Sequence, residues 1–126
     1  MNGESGSNPK ILIIDNDPKQ NLLLESVLKG NGCQIVSKSS GEEAVKYIME
    51  NGPVSIIFSI FNMTRMNGLE FFKIVKRISP ASYRILSSCY HSSNNLPTNF
   101  SEGDIHHFLL KPFLFEEVVE QVKAGI

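Results

Sequence analysis

VSIIFSIFNMTRMNG, residues 54 to 68, is the stretch on which the fold turns. Its apolar run, Val54, Ile56, Ile57, Phe58 and Ile60, is entered from Gly52-Pro53 and predicts a strand buried on both faces, as at the centre of a parallel sheet. A polar turn follows over Asn62 to Asn67, and Gly68 opens a new apolar pattern of helical period. In an open α/β sheet, the loops leaving the carboxyl ends of central strands are where ligands bind and chemistry happens. Yet from Gly52 to Leu69 there is no Asp, Glu, His or Cys. The most prominent chemical position of the predicted fold carries no chemical group.

Outward from this core the same alternation repeats. Ile11 to Ile14 is a second short β-branched run, stopped by Asp15-Asn16-Asp17-Pro18, with Asp17 suited to a helix N-cap and Pro18 to the first helical position. The helix that follows carries Leu22, Leu23, Ser26, Val27 and Leu28 and stops near Gly30-Asn31-Gly32. Gln34 to Ser37 is a short strand. Ser40-Gly41-Glu42-Glu43 forms a capping box ahead of Ala44, Val45, Ile48 and Met49. Beyond the central strand, Leu69, Phe72, Val75 or Lys76, and Ile78 recur at helical spacing until Ser79-Pro80. Arg84 to Ser88 is the fourth strand and His106 to Leu110 the fifth. Between them Tyr90 to Asp104 is polar and contains Pro97, so a helix there is short or irregular. Lys111-Pro112 makes a turn, and Phe113 to Ala124 a closing helix with Val118, Val119 and Val122 inward. Strict alternation predicts an α/β domain with helices on both faces of a five-stranded parallel sheet, and right-handed crossovers favour the order 2-1-3-4-5.

Composition sets the outer bounds. With 126 residues, 41% of them hydrophobic, the chain suits one domain: residues 10–126, preceded by a flexible, Gly- and Ser-rich tail over 1–9. Twelve basic against thirteen acidic residues argue against nucleic-acid binding by this domain. Cys33 and Cys89 lie far apart without CxxC or Cys/His clustering, which points to packing thiols in a reducing cytoplasm and away from zinc. No apolar run reaches the length of a membrane span and no signal peptide is apparent. His91, His106 and His107 are expected at surface or edge positions. Phe71, Phe72, Phe113 and Phe115 are expected to be mostly core, with one of each adjacent pair nearer the surface.

Four short motifs, ILIIDNDP, MNG, ILSSC and FLLKPF, fall in this order at the strand ends and at the head of the third helix. With them the chain, from Lys10 to Lys123, resembles the receiver domain of two-component response regulators, with its flavodoxin-like (βα)5 fold. The resemblance implies a carboxylate ending strand three that takes a phosphoryl group from a histidine kinase. It also implies two acidic residues ending strand one that hold Mg²⁺, a hydroxyl ending strand four, and a Lys before Pro. Asp15 matches the first acidic position, Asn16 the second, Ser88 the hydroxyl, Lys111 the lysine and Phe108 the switch aromatic, without its hydroxyl.

The nucleophile position, eight residues before Gly68, is Ile60. Isoleucine has no lone pair for phosphorus or magnesium, so the resemblance implies a degenerate receiver with no phosphoacceptor. Thr64 stands where a proline is common. Asn16 removes one more charge from the cation site, leaving Asp15 and Asp17, so no metal and no cofactor is expected. Ser59 should face away from Ile60, and Ser88 is expected to cap strand-end backbone. Lys111 is expected to pair with Asp15. The degenerate pocket thus comprises Asp15, Asn16, Asp17, Ile60, Asn62, Ser88 and Lys111. The implied role is a non-enzymatic, phosphorylation-independent signalling module that contacts protein partners through the Tyr90–Ala124 face. That role argues against a histidine kinase as partner. The alternatives are a phosphorelay receiver phosphorylated at a non-standard site, and a flavin binder, which Asp15 and Asp17 disfavour by repelling the flavin phosphate.

Overall fold

The computed structural model describes residues 9–15, 17–61, 63, 65–89, 104–111 and 114–125, without the side chains of Cys89, Leu110 and Lys111. The chain runs β1 (Lys10–Ile14), α1 (Pro18–Lys29), β2 (Gln34–Lys38), α2 (Gly41–Asn51), β3 (Ile56–Ile60), α3 (Gly68–Ile78), β4 (Tyr83–Cys89), β5 (His107–Lys111) and α4 (Phe115–Gly125). The strands form one sheet of order β2-β1-β3-β4-β5, every neighbouring pair parallel. Sheet order and class agree with the alternation of the sequence. The part of Tyr90–Asp104 expected to be irregular lies, except for Asp104, outside the described residues.

Side-chain alternation along the strands divides the interior into two cores. On one face Leu12, Ile14, Ile57, Phe61 and Leu86 meet α2 and α3 through Ala44, Ile48, Leu69, Phe72 and Val75. On the other, Ile11, Ile13, Ile56, Phe58, Ile85 and Leu109 meet α1 and α4 through Leu24, Leu28, Val118 and Val122. Helices therefore cover both faces, and all five residues of β3 are buried.

The helix termini follow local chemistry. Asp17 accepts the Lys19 amide at 3.0 Å, with Pro18 in the first turn. Ser40 accepts the Glu43 amide at 3.1 Å, but the Glu43 carboxylate turns back to the Ser39 amide and hydroxyl, one residue earlier than a capping box requires. These Ser39 hydrogen bonds hold the Glu43 carboxyl below its usual range. A full capping box occurs instead at α3, where Asn67 and Glu70 exchange bonds of 2.8 and 2.9 Å.

Two packing expectations are corrected. Of three consecutive leucines in α1, Leu22 and Leu23 are 66% and 52% exposed, and it is Leu24 that enters the core with Leu28. At about 100° per residue only one of three adjacent side chains can face the sheet squarely. Phe71 and Phe72 are both fully buried, because α3 packs on the sheet along one side and on α2, its neighbour on the same face, along another. Their rings sit 5.3 Å apart, tilted by 41°.

The head of α3 is pressed onto the end of β3. A Cβ on Gly68 would lie 2.4 Å from Leu86 Cδ1 and 2.6 Å from the Ile60 carbonyl oxygen, and the Gly68 amide donates to the Phe61 carbonyl at 2.8 Å. Gly68→Ala is expected to cost about 1–3 kcal/mol, since one colliding atom is backbone and cannot rotate away. Gly30, with φ −62° at the end of α1 and a nearest neighbour at 3.4 Å, has no such need. Gly30→Ala should be neutral or gain about 0.4–1 kcal/mol. Urea unfolding of the two variants checks the contrast.

Candidate functional site

The carboxyl ends of β1, β3, β4 and β5 meet along one edge of the sheet, as parallel pairing requires. Register decides which residues face one another there. Ile14 pairs with Ser59, so the next residues in the two strands are Asp15 and Ile60. Ile60 pairs with Ser87, and Ser87 with Leu109. Asp15, Ile60, Ser87 and Leu109 therefore form one row across the sheet. By alternation the row lies on the α1/α4 face, following Ile13, Phe58 and Ile85.

Asp15 is buried and organises the turn into α1. Its Oδ1 accepts the Asp17 amide at 2.9 Å, its carbonyl accepts Asn21 Nδ2 at 2.8 Å, and its amide donates to the Lys38 carbonyl at 3.2 Å. Beside it lies an open groove of about 260 Å³ that also touches Asn21, Ser37, Lys38 and Glu43. Asp17, at the surface, is occupied as the N-cap of α1.

Ile60 closes β3 and is buried. Its neighbours fix the chain around it: the Phe61 amide donates to the Ser87 carbonyl at 2.7 Å, and the Ser59 hydroxyl donates to the Ile60 carbonyl at 2.9 Å. Ser59 Oγ also lies 3.9 Å from Met63 Sδ. Ser59 thus faces the α2/α3 side, opposite Ile60, and its hydroxyl is engaged.

The hydroxyl position expected at Ser88 lies one residue beyond the register partner of Ile60. Register sets Ser87 beside Ile60, whereas Ser88 follows Leu86 onto the opposite face. Nor does Ser88 cap strand-end backbone: Ser87 Oγ and Ser88 Oγ are both buried, and neither has a hydrogen-bond partner among the described residues. Phe108 pairs with Leu86 and packs, half-buried, against the α2/α3 core. Lys111 ends β5 as the register partner of Cys89. Its side chain, and with it the expected pairing to Asp15, lies outside the described residues, as do Asn16 and Asn62.

Among the described residues no group of three or more His, Cys, Asp or Glu side chains is gathered as a metal ligand set. Mg²⁺ is usually held through carboxylates and waters in octahedral geometry. In the row described above, Asp15 supplies one carboxylate, already taking an amide proton, and Ile60 supplies hydrocarbon. The donors among the described residues fit that ion poorly.

Comparisons with known proteins agree with this fold. The sequence profile of the family described as response regulator receiver domain matches residues 11–123. A probable chemotaxis protein CheY of Rhizobium etli is 30% identical over 119 residues, covering 91% of this chain and 90% of that protein. The hydrogenase transcriptional regulatory protein HoxA of Cupriavidus necator is 26% identical over 92% of this chain, which spans only 24% of HoxA. Among solved structures, a response regulator receiver domain protein of Clostridium thermocellum superposes with a TM-score of 0.84 at 21% identity, covering 94% of each chain. The fold is the flavodoxin-like one of these neighbours.

The unpartnered hydroxyl beside Ile60 leads to a stability prediction. Ser87→Ala removes no hydrogen bond and relieves a buried, unpaired oxygen, so it should be neutral or stabilising by about 1 kcal/mol. Ser82, whose hydroxyl donates to the Val54 carbonyl and meets Ser79 Oγ, each at 2.6 Å, should lose about 1–3 kcal/mol as Ser82→Ala. Denaturant midpoints of the two variants distinguish the cases.

Proposed function

We propose that this chain, which belongs to the family of response regulator receiver domains, is a phosphorylation-independent member that signals by protein contact alone. The observation that carries this reading is Ile60, buried at the end of β3 in the row that also holds Asp15 and Ser87. Phosphoryl transfer needs a positioned oxygen nucleophile and a cation to neutralise developing charge. A sec-butyl side chain supplies neither, and no carboxylate occurs between Gly52 and Leu69. In this reading the domain is not an enzyme and needs no Mg²⁺ or histidine kinase. It occupies residues 10–126 behind a tail of nine, works in the cytoplasm, and meets its partner through the Tyr90–Ala124 face. Without an internal switch, its state is set by whichever partner binds one conformation better.

The competing reading is a receiver phosphorylated elsewhere. The nearest hydroxyls are poor candidates: Ser59 donates to the Ile60 carbonyl, and Ser87 is buried with no base beside it among the described residues. Incubation with a small-molecule acyl phosphate and Mg²⁺, followed by intact-mass measurement, decides between them. The wild-type mass should stay unchanged, and stable addition of one phosphoryl group would overturn the proposal. Ile60→Asp in the same assay asks whether the remaining pocket is still competent. Phosphate uptake by that variant alone would locate the loss of function at a single side chain.

A further inference from the structure

At the opposite end of the sheet, where β4 and β5 begin, lies a cluster of polar side chains that the function above does not use. Arg84 is almost fully buried. Its Nε donates to the Asp104 carbonyl at 2.9 Å, and one terminal nitrogen donates to the carbonyls of Pro80 and Ser82 at 3.2 and 3.1 Å. The Asp104 carboxylate, also buried, meets Lys76 of α3 at 3.5 Å. Against this group stands His106. Its backbone amide donates to the Arg84 carbonyl at 2.8 Å, and its ring Nδ1 accepts the Arg84 backbone amide at 2.9 Å. One residue thus makes both bonds of a strand pairing, just ahead of the β4–β5 ladder that begins at Ile85 and His107.

We propose that His106 is an acid-released clasp, which holds the start of β5 to β4 while its imidazole is neutral and lets that corner open when it takes up a proton. Nδ1 can accept only while it carries no proton, and an imidazolium has two donors and no acceptor. A protonated ring would therefore set its own N–H against the Arg84 N–H.

The surroundings oppose protonation. β4 contributes Arg84 and Tyr83, whose ring stacks on the imidazole at 4.8 Å. α3 contributes Lys76, the chain entering β5 contributes Asp104, and His107 follows in sequence. α4 contributes the neutral Gln121, bonded to the Tyr83 hydroxyl at 3.0 Å. His106 is exposed as a residue; partial desolvation of its ring, then the charge of Arg84, pushes the imidazole below its ordinary value of 6.5. A group depressed on folding stabilises the fold fully above its unfolded value. That contribution is lost as pH falls through the lower, folded one, so acid is the releasing direction.

Release reaches beyond one bond. β5 is the edge strand of the sheet, and among the described residues its ladder is made with β4. The end of α4 rests on the same corner, since a Cβ on Gly125 would fall 2.7 Å from the Tyr83 ring. Loosening His106 therefore frees the first residues of β5 and the ring against which α4 closes.

The test is made on the intact protein, labelled with ¹⁵N. At about pH 7.5, where a histidine of ordinary or lower pKa is neutral, a through-hydrogen-bond coupling between the Arg84 amide nitrogen and His106 Nδ1 is expected. On acidification it should vanish in step with the imidazolium signal of His106, below 6.5. Hydrogen exchange at the Arg84 amide, corrected for intrinsic pH dependence, should rise about tenfold over the same step, the worth of one such bond. Asp104→Asn and His107→Asn should keep the step. His106→Asn, which offers a non-titrating acceptor, should abolish it. The proposal is overturned if the coupling is absent at neutral pH, or survives once His106 is charged. A His106 that titrates at or above 6.5 overturns it too. These readings come from the wild-type protein and stand even where a variant does not fold.

Discussion

Every backbone polar group of β3 has to be satisfied sideways, because hydrocarbon closes both of its faces. That constraint dictates the molecule. β1 and β4 must lie on either side in parallel register, and their connections must cross over the sheet, which places a helix layer on each face. It also explains the one polar side chain in the strand. Ser59 is fully buried among apolar groups and is tolerated because its hydroxyl bonds the neighbouring Ile60 carbonyl. Where β3 ends, the same lack of room forces glycine at position 68, because α3 starts against the strand it has just left.

Much of this was legible in the sequence, for reasons that can be named. Strands covered on both sides need runs that are mostly apolar and rich in β-branched residues, and Ile11 to Ile14 and, apart from Ser59, Ile56 to Ile60 have them. Helix starts need side-chain oxygens, and Asp17 and Ser40 supply them. What escaped depended on neighbours. Leu22, Leu23 and Leu24 are chemically alike, and the rotation of α1 about its axis, which selects among them, is set by the packed sheet. Phe71 and Phe72 are both buried because α2 covers the second side of α3, a fact absent from the α3 sequence itself. Which of Ser87 and Ser88 stands beside Ile60 depends on the register of β4 against β3, which two identical adjacent residues do not reveal.

The candidate site shows the same division. Ile60 was singled out through the resemblance, by its place eight residues before Gly68, a spacing contained in one strand and turn. Asp15 could be picked out as a strand-end carboxylate. Its task in the structure, receiving the Asp17 amide while its carbonyl holds Asn21, concerns the shape of the turn and requires no ligand. The His106 cluster was least visible: Arg84, Asp104 and Lys76 are scattered through the chain, and only the fold gathers them.

The strand order has a consequence for how the chain is made. During synthesis β1 emerges first, yet its partner on one side, β3, is separated from it by two helices and β2. Once β2, β1 and β3 have assembled, β3 is the outer strand of a half-built sheet, with an unpaired apolar margin until β4 is released from the ribosome. Parallel pairings at such sequence distance form slowly, and margins of this kind adhere to one another. The interval between the appearance of Ile60 and that of Cys89 is therefore the period when the nascent chain is most exposed to aggregation.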